Sequence, residues 1–288
     1  MPEHAMRTVR LPGGAEVPAL GLGTWRMGES ARARHGEVTA IRRAVELGYR
    51  LFDTAEMYGE GGAEEVLGGA LADAMRAGEV ARDELFIVSK VYPHNASRAG
   101  TLAACERSRK RLQLDRIDLY LLHWRGTHVL ADTVDGFERL ETQGRIGQWG
   151  VSNFDTDDMA ELWAMAQGTH CAANQVYYSL SERGIEFDLL PWQREHGVAL
   201  MAYCPIDQGT LARAKTLQPL AQRLDATPAQ LALAWLLSRD VIAIPKAVQE
   251  PHLRDNLAAA SLRLDTAALA ELDTLFPPPR QKRPLAMT

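Results

Sequence analysis

Three stretches decide the fold of this chain: Leu51-Phe52-Asp53, Leu85-Phe86-Ile87-Val88-Ser89-Lys90 and Ile117-Asp118-Leu119-Tyr120-Leu121-Leu122-His123. Each is an apolar run that ends on an ionisable residue. Parallel strands buried on both faces are continuously apolar, and an ionisable group at the end of such a strand is costly to bury. Barrels of alternating strands and helices place their reactive groups at these strand ends. Together with Tyr58, the three terminal residues form a set that can deliver a proton.

Strands and helices alternate outward from these stretches. Val9 to Val17 predicts a hairpin that turns at Pro12-Gly13-Gly14, and Leu67, Ala70, Leu71 and Ala74 recur at helical spacing. The remaining strands are predicted at Ala19–Gly23, Ile146–Val151, Ala172–Val176, Val198–Tyr203 and Val241–Ile244. Eight strand–helix units predict an α/β fold, a single (β/α)8 TIM barrel over residues 1–288, with an N-terminal β-hairpin. Pro277 to Thr288 is predicted to form a C-terminal strap.

Composition narrows the functional classes. The chain has 288 residues, a formal charge of −5 and 46% hydrophobic residues, which gives no indication of a nucleic acid or a membrane as partner. Met1 to Glu16 lacks the apolar region of a signal peptide, and no apolar run approaches the roughly 20 residues of a membrane span. The three cysteines, Cys105, Cys171 and Cys204, have no metal-like spacing. We expect a monomer in the cytoplasm.

The strand-end residues suggest a division of labour. A tyrosine hydroxyl ionises near pH 10, and a neighbouring ammonium such as that of Lys90 is expected to lower the pKa of Tyr58. Asp53 would be the counter-ion of Lys90, and His123 would donate a hydrogen bond to a substrate carbonyl. Taken singly, each residue has an ordinary structural alternative: a solvated charge, a helix or turn cap, a structural hydrogen-bonder or a packed loop residue.

Five motifs, in order along the chain, resemble those of the aldo-keto reductase superfamily. They are Asp53-Thr54-Ala55-Glu56-Met57-Tyr58-Gly59, Gly150-Val151-Ser152-Asn153-Phe154, Asn174-Gln175-Val176-Tyr177-Tyr178, Ile244-Pro245-Lys246 and Asp255-Asn256. Lys90 and His123 lie where that family has its lysine and histidine. The resemblance extends to about Phe276.

The resemblance implies a nicotinamide cofactor that is bound without a Rossmann domain, since no G-x-G-x-x-G follows a strand here. NADPH is expected and NADH is the alternative. The implied cofactor contacts are Gly23, Thr24, Ser152, Asn153, Gln175, Tyr203, Cys204, Lys246, Val248, His252, Asp255 and Asn256. Ala247 and His252 replace the serine and arginine that accompany the lysine in NADPH-preferring members, so the preference rests mainly on Lys246. Strand-end hydrogen bonding, core packing and a solvated Lys246 are the structural alternatives.

The implied reaction is the reduction of an aldehyde or ketone to an alcohol, with Tyr58 as proton donor. Trp25, Tyr92 and Trp124 would line the substrate pocket, or else belong to the core. The short segment Cys204 to Leu217 suggests an open pocket for small carbonyls or dicarbonyls. The alternatives in function are an NADPH-binding redox sensor with little turnover, as in potassium-channel β subunits, and an isomerase or hydrolase on the same barrel.

Overall fold

The computed structural model describes residues 7–288, in which a two-stranded hairpin precedes eight parallel strands. The hairpin strands are β1 (Thr8–Arg10) and β2 (Glu16–Pro18). The parallel strands are β3 (Leu22–Gly23), β4 (Leu51–Asp53), β5 (Phe86–Val91), β6 (Ile117–Leu122), β7 (Ile146–Ser152), β8 (Ala173–Tyr177), β9 (Ala199–Tyr203) and β10 (Ile242–Ala243). Each pairs with its neighbour in the chain, and a parallel bridge between Leu20 and Ala243 joins the first strand to the last. The predicted (β/α)8 barrel is confirmed.

Helices connect the strands on the outside. They are α1 (Ala31–Glu46), α2 (Gly62–Arg76), α3 (Arg98–Leu112), α4 (Leu130–Thr142), α5 (Thr156–Trp163), α6 (Leu189–His196), α7 (Gln218–Arg223), α8 (Pro228–Leu237), α9 (Glu250–Ala259) and α10 (Thr266–Leu275). Thr227 caps α8 in a reciprocal capping box, with Pro228 in the first turn. The sequence did not predict α7 and α9. β3 and β10 meet at the seam where the barrel closes. Both are shorter than predicted, because regular pairing covers only two residues in each.

The barrel strands divide their side chains between two apolar clusters. Leu51 and Val88 belong to the cluster inside the barrel, whereas Phe52 and Ile87 pack with the helices outside. This division follows from the two-residue period of a strand, in which successive side chains point to opposite faces. Any residue two positions along from an interior residue therefore also points inward.

The hairpin closes the barrel at the amino ends of the strands. Leu11 and Val17 are buried and belong to the interior cluster together with Leu51. Gly13 packs against the Gln148 side chain near the start of β7, where an added Cβ would lie 2.3 Å from the amide nitrogen. The open end of the barrel is consequently the one at the carboxyl ends of the strands.

Two segments lie over the open end without long helices. Residues 207–217 form three short 3₁₀ turns where the sequence predicted a short flap. The tail from 277 to 288 has no helix or strand, and Lys282 ties it to Asp157 at 3.0 Å and to Asp188 at 3.5 Å. Within residues 7–288, none of the helices combines the length and apolarity that a bilayer crossing requires.

Candidate active site

The strand alternation brings the ionisable strand-end residues into one place. Asp53 lies two residues after interior Leu51, and Lys90 lies two residues after interior Val88. His123 follows interior Leu121 at the same spacing. All three side chains therefore point into the open end of the barrel, and all are buried: Asp53 is 2% exposed, Lys90 0% and His123 7%.

Lys90 is the centre of this group. Its Nζ donates to Oδ1 of Asp53 at 2.7 Å, to the carbonyl oxygen of Thr54 at 2.8 Å and to the hydroxyl of Tyr58 at 3.4 Å. A buried ammonium requires a paired charge and hydrogen-bond acceptors, and these three contacts supply them. The long contact to Tyr58 places a positive charge beside the phenol oxygen.

Burial outweighs the lysine in setting the ionisation of this pair. Burial, followed by the negative charge of Asp53, raises the pKa of Tyr58 well above 10, and Tyr203 adds to this. This direction is opposite to the lowering expected from the sequence, because burial disfavours the charged phenolate and the negative charge of Asp53 disfavours it further. Burial lowers the pKa of Lys90, and Asp53 offsets part of that effect. Tyr58 is thus protonated at neutral pH and available as a donor.

His123 is a neutral imidazole. Burial first and the charge of Lys90 second lower its pKa well below 6.5. Its ring lies edge-on to that of Tyr58, with centroids 5.6 Å apart. A neutral imidazole keeps one N–H, so His123 can donate one hydrogen bond beside the Tyr58 hydroxyl.

Next to the proton-donating group, β7 and β9 carry a set of hydroxyl and amide groups. The hydroxyl of Ser152 donates to the main-chain carbonyl of Gln175 at 2.8 Å. Nδ2 of Asn153 donates to the carbonyl of His123 at 3.0 Å, and Oδ1 of Asn153 accepts from the hydroxyl of Tyr203 at 2.8 Å. Asn153 has a φ of 58°, a left-handed conformation that asparagine tolerates better than most residues. These bonds fix the flat face of Tyr203 beside the strand ends.

Four more of the predicted cofactor residues lie where β3 meets β10, on β8 and directly after β9. Thr24 donates from its hydroxyl to the carbonyl of Asp53 at 3.0 Å. At Gly23, an added Cβ would lie 2.9 Å from the carbonyl oxygen of Ile244, so the seam excludes a side chain there. Cys204 is half-buried, and burial raises the pKa of its thiol, which disfavours a reactive thiolate. Gln175 lies on β8 and is 1% exposed.

The predicted contacts that follow β10 are divided between surface and core. Lys246 and His252 are exposed, and Val248 is 39% exposed. Asn256 is buried near the hydroxyl of Tyr49, which donates to the main-chain carbonyl of Leu253 at 2.9 Å. Asp255 is half-buried.

An ion pair restrains the arginine nearest to these residues. The guanidinium of Arg254 binds Glu250 at 2.8 Å, and Glu250 also binds Arg43 at 2.8 Å. Arg254 is therefore paired with a glutamate of its own helix, α9. Lys246, in the Ile244-Pro245-Lys246 motif directly after β10, has an exposed ammonium.

Two of the three predicted aromatic residues meet at the rim. The rings of Tyr92 and Trp124 have centroids 5.1 Å apart, and Trp124 lies 4.9 Å from the ring of His123. Trp25 instead contacts the guanidinium of its neighbour Arg26 at 4.4 Å. All three are half-buried, which fits a pocket rim better than the core.

Sequence reasoning missed Glu56, which ties the proton-donor loop to the rim. Glu56 is 7% exposed and accepts from the main-chain N–H of Tyr92 at 2.7 Å, from Asn95 at 3.0 Å and from Arg107 at 3.1 Å. A charged residue between apolar neighbours in the Asp53–Tyr58 motif was the available signal, because a carboxylate in such a place must find donors.

A second missed carboxylate lies behind the lysine strand. Glu64 is 0% exposed, accepts from the hydroxyl of Ser89 at 2.6 Å and pairs with Arg111 at 3.1 Å. Burial raises the pKa of Glu64, and its charge in turn favours the protonated form of Lys90. Nothing in the local sequence distinguishes Glu64 from an exposed helical glutamate.

A family model, the sequences of known proteins and solved structures all relate this chain to the same protein family. Residues 19–276 match the model of the aldo/keto reductase family. The chain is 44% identical to methylglyoxal reductase YeaE of Escherichia coli (strain K12) over 98% of this chain and 99% of that protein. It is 34% identical to glyoxal reductase of Bacillus subtilis (strain 168) over 96% and 95%. The crystal structure of an aldo/keto reductase from Klebsiella pneumoniae with NADP and acetate superposes with a TM-score of 0.93 at 48% identity, covering 99% and 100% of the two chains.

Proposed function

Because this chain belongs to the aldo/keto reductase family, we propose that it reduces small aldehydes and dicarbonyls to alcohols with NADPH. The chain is an oxidoreductase that acts on carbonyl groups. One observation carries the finer proposal: a fully buried ammonium, Lys90, held 2.7 Å from Asp53 and 3.4 Å from Tyr58 at the open end of the barrel. Burying a charge costs free energy even when it is paired, and buried ionisable groups with shifted pKa values in a cleft are typical of functional sites.

The residues beside this group fit a nicotinamide. Ser152, Asn153 and Gln175 present hydroxyl and amide groups, which match the donors and acceptor of a carboxamide. Tyr203 is held by Asn153 and offers a flat aromatic face. We propose that these four residues hold the nicotinamide and that Lys246 binds the 2′-phosphate of the adenosine as a point charge.

The protein's own part of the reaction is proton delivery and charge stabilisation. When bound, NADPH supplies the hydride that adds to the carbonyl carbon. As the C=O π bond breaks, Tyr58 gives its hydroxyl proton to the carbonyl oxygen, and the ammonium of Lys90 stabilises the tyrosinate that remains. Neutral His123 donates a hydrogen bond to the same oxygen. Hydride and proton together complete the alcohol. Stabilisation of charge at such an oxygen is commonly the largest single contribution to catalysis.

A small dicarbonyl is the substrate class that we propose. Methylglyoxal reductase YeaE and glyoxal reductase, both similar over nearly the whole chain, are named for such substrates. Tyr92 and Trp124 form one aromatic wall at the rim, which suits small planar molecules. We further propose that residues 1–288 act as one domain. The monomeric state and the cytoplasmic location stay predictions.

The test is NADPH oxidation at 340 nm with methylglyoxal, glyoxal and a simple aldehyde, in wild type and in Tyr58→Phe. Removing the proton donor should lower kcat by about 10²- to 10⁴-fold. NADPH fluorescence provides the control, since the variant should still bind the cofactor. Equal turnover in both proteins would reject Tyr58 as donor. Cofactor binding without turnover of any carbonyl by wild type would favour the redox-sensing alternative.

A further inference from the structure

Gln175 reaches across the barrel to the carboxylate that holds Lys90. Its Nε2 donates to Oδ2 of Asp53 at 2.8 Å, while Lys90 donates to Oδ1 of the same carboxylate at 2.7 Å. The two donors come from β8 and β5, and the carboxylate from β4. All three residues are at most 2% exposed, so water cannot readily replace either donor.

The hydrogen bond fixes the orientation of the glutamine amide. A carboxylate only accepts hydrogen bonds, so the amide nitrogen must face Asp53 and the amide oxygen Oε1 must point away from it. The main-chain carbonyl of Gln175 accepts from the hydroxyl of Ser152 at 2.8 Å, which fixes the backbone at this position, and Sδ of Met201 lies 3.9 Å from Nε2. From this fixed backbone, Asp53 and Met201 restrain the side-chain amide nitrogen.

The second donor matters because one contact does not fix a carboxylate. The terminal torsion of an aspartate is broad and roughly two-fold, so a carboxylate bound only by Lys90 could rotate and carry the ammonium with it. The contact from Nζ to the Tyr58 hydroxyl is already 3.4 Å and would be lost by a small displacement. Displacements of about 1 Å at a reacting group can cost about 10²-fold in rate.

We propose that Gln175 is a positioning residue for proton transfer, which holds Asp53 and through it places Lys90 beside Tyr58. The proposal rests on the proposed function for its effect on catalysis. The contact between Gln175 and Asp53 is itself independent of that function. A residue that served only to bind the nicotinamide carboxamide would not require this bond.

Replacing Gln175 by glutamate makes the contact sensitive to pH. When protonated, the introduced carboxyl group can donate to Asp53 as the amide does. When ionised, it faces a second carboxylate at hydrogen-bond distance, which raises the pKa of one of the two groups. The other titratable groups around this site are Lys90, Tyr58, His123, Glu64, Tyr203 and Cys204. They are common to wild type and variant, so the difference between the two proteins isolates the new group.

The sign of the effect follows from proton linkage. In the unfolded chain the introduced glutamate ionises near pH 4.3, whereas in the folded protein its pKa is higher. Between these two pKa values the folded state binds more protons than the unfolded state, so the stability of the variant falls as pH rises. The folding equilibrium constant of Gln175→Glu should fall by up to about tenfold per pH unit relative to wild type until the folded-state pKa is passed.

The experiment measures the melting temperature of the cofactor-free protein at pH 5.5 and 8.0. Gln175→Glu should lose stability relative to wild type at pH 8.0 but lose much less at pH 5.5. The matched control is Gln175→Glu with Asp53→Asn, which exchanges amide and carboxyl and should remove the excess pH dependence. A single variant that follows wild type at both pH values, or a double variant with unchanged pH dependence, would overturn the proposal.

Gln175→Met supplies a second test if the glutamate variant does not fold. This side chain fills a similar volume but cannot donate. Without the amide dipole the charge of Asp53 acts more strongly on Tyr58, so the alkaline limb of the kcat/KM profile should move to higher pH while kcat falls. A rise in the NADPH dissociation constant with unchanged kcat and pH profile would show that Gln175 only binds cofactor. If wild type itself reduces none of the carbonyls, that result would instead count against the proposed function.

Discussion

Replacing His123 by asparagine should remove a defined part of the pH dependence of folding. Burial and the charge of Lys90 lower the pKa of His123 well below 6.5 in the folded protein. The unfolded chain then binds a proton below pH 6.5 that the folded chain does not bind. Stability must therefore fall as pH decreases through 6.5, and this contribution disappears when the residue at position 123 no longer titrates.

The magnitude follows from the two pKa values. With an unfolded pKa near 6.5 and a folded pKa far below it, the loss of stability between pH 7.5 and 5.5 is about 1.4 kcal/mol for this one group. The same neutral imidazole is what allows His123 to donate a hydrogen bond to a carbonyl oxygen without adding a second positive charge beside Lys90. The thermodynamic measurement thus tests the charge state on which the proposed mechanism depends.

Urea unfolding at pH 7.5 and 5.5 provides the assay. The difference in unfolding free energy between the two pH values should be smaller in His123→Asn than in wild type by about 1.4 kcal/mol. His35→Asn is the matched control, because His35 is exposed on α1 and should leave the difference unchanged. Equal pH dependence in wild type and His123→Asn would mean that His123 is not held neutral by the fold, and the reasoning from burial would fail.

Two further predictions concern positions outside the proton-donating group. Glu56→Leu removes the buried carboxylate that accepts from the main-chain N–H of Tyr92, so unfolding free energy should fall by about 1–3 kcal/mol and KM for aldehydes should rise more than kcat falls. Arg107→Gln is its control, and this half-exposed partner should cost less than about 1 kcal/mol. Gly150→Ala would place a Cβ 2.3 Å from a backbone carbonyl oxygen of the neighbouring strand, so urea unfolding should show a loss of at least about 1–3 kcal/mol. Gly69→Ala meets no atom within 4 Å on α2 and should instead stabilise the protein by about 0.5–1 kcal/mol. No loss in Gly150→Ala, or a loss in Arg107→Gln equal to that in Glu56→Leu, would contradict these assignments.

The placement of the strand-end residues could be predicted because it depends on short-range rules. An apolar run fixes a buried strand, and the two-residue period then fixes that Asp53 points the same way as Leu51. The barrel and the order of its strands could be predicted because strand-like apolar runs alternate with apolar residues at helical spacing. The hairpin could be predicted from its turn residues between two short strands. Helix α9 was not predicted because its buried face contains Asn256 beside Leu253, a polar residue where the pattern requires an apolar one. Helix α7 has only six residues, too few to show a period.

The ionisation of the site could not be predicted from the residues alone. The sequence contains Lys90 and Tyr58, but it does not contain the 3.4 Å between them or the 2.7 Å from Lys90 to Asp53. Burial, which raises the pKa of Tyr58, is a property of the assembled barrel. The bond from Gln175 to Asp53 joins residues 122 positions apart and exists only when the strands close into a ring.

The hairpin beneath the barrel has a consequence for how such a protein can evolve. Leu11 and Val17 seal one end of the interior, and the reactive groups occupy the other, with a layer of apolar side chains between them. Substitutions in the loops around Tyr92 and Trp124 therefore do not reach the residues that seal the floor. A lineage can explore new carbonyl compounds by drift in the rim loops while purifying selection maintains the floor. Duplicated copies of the gene would on this reasoning diverge first, and furthest, at the open end.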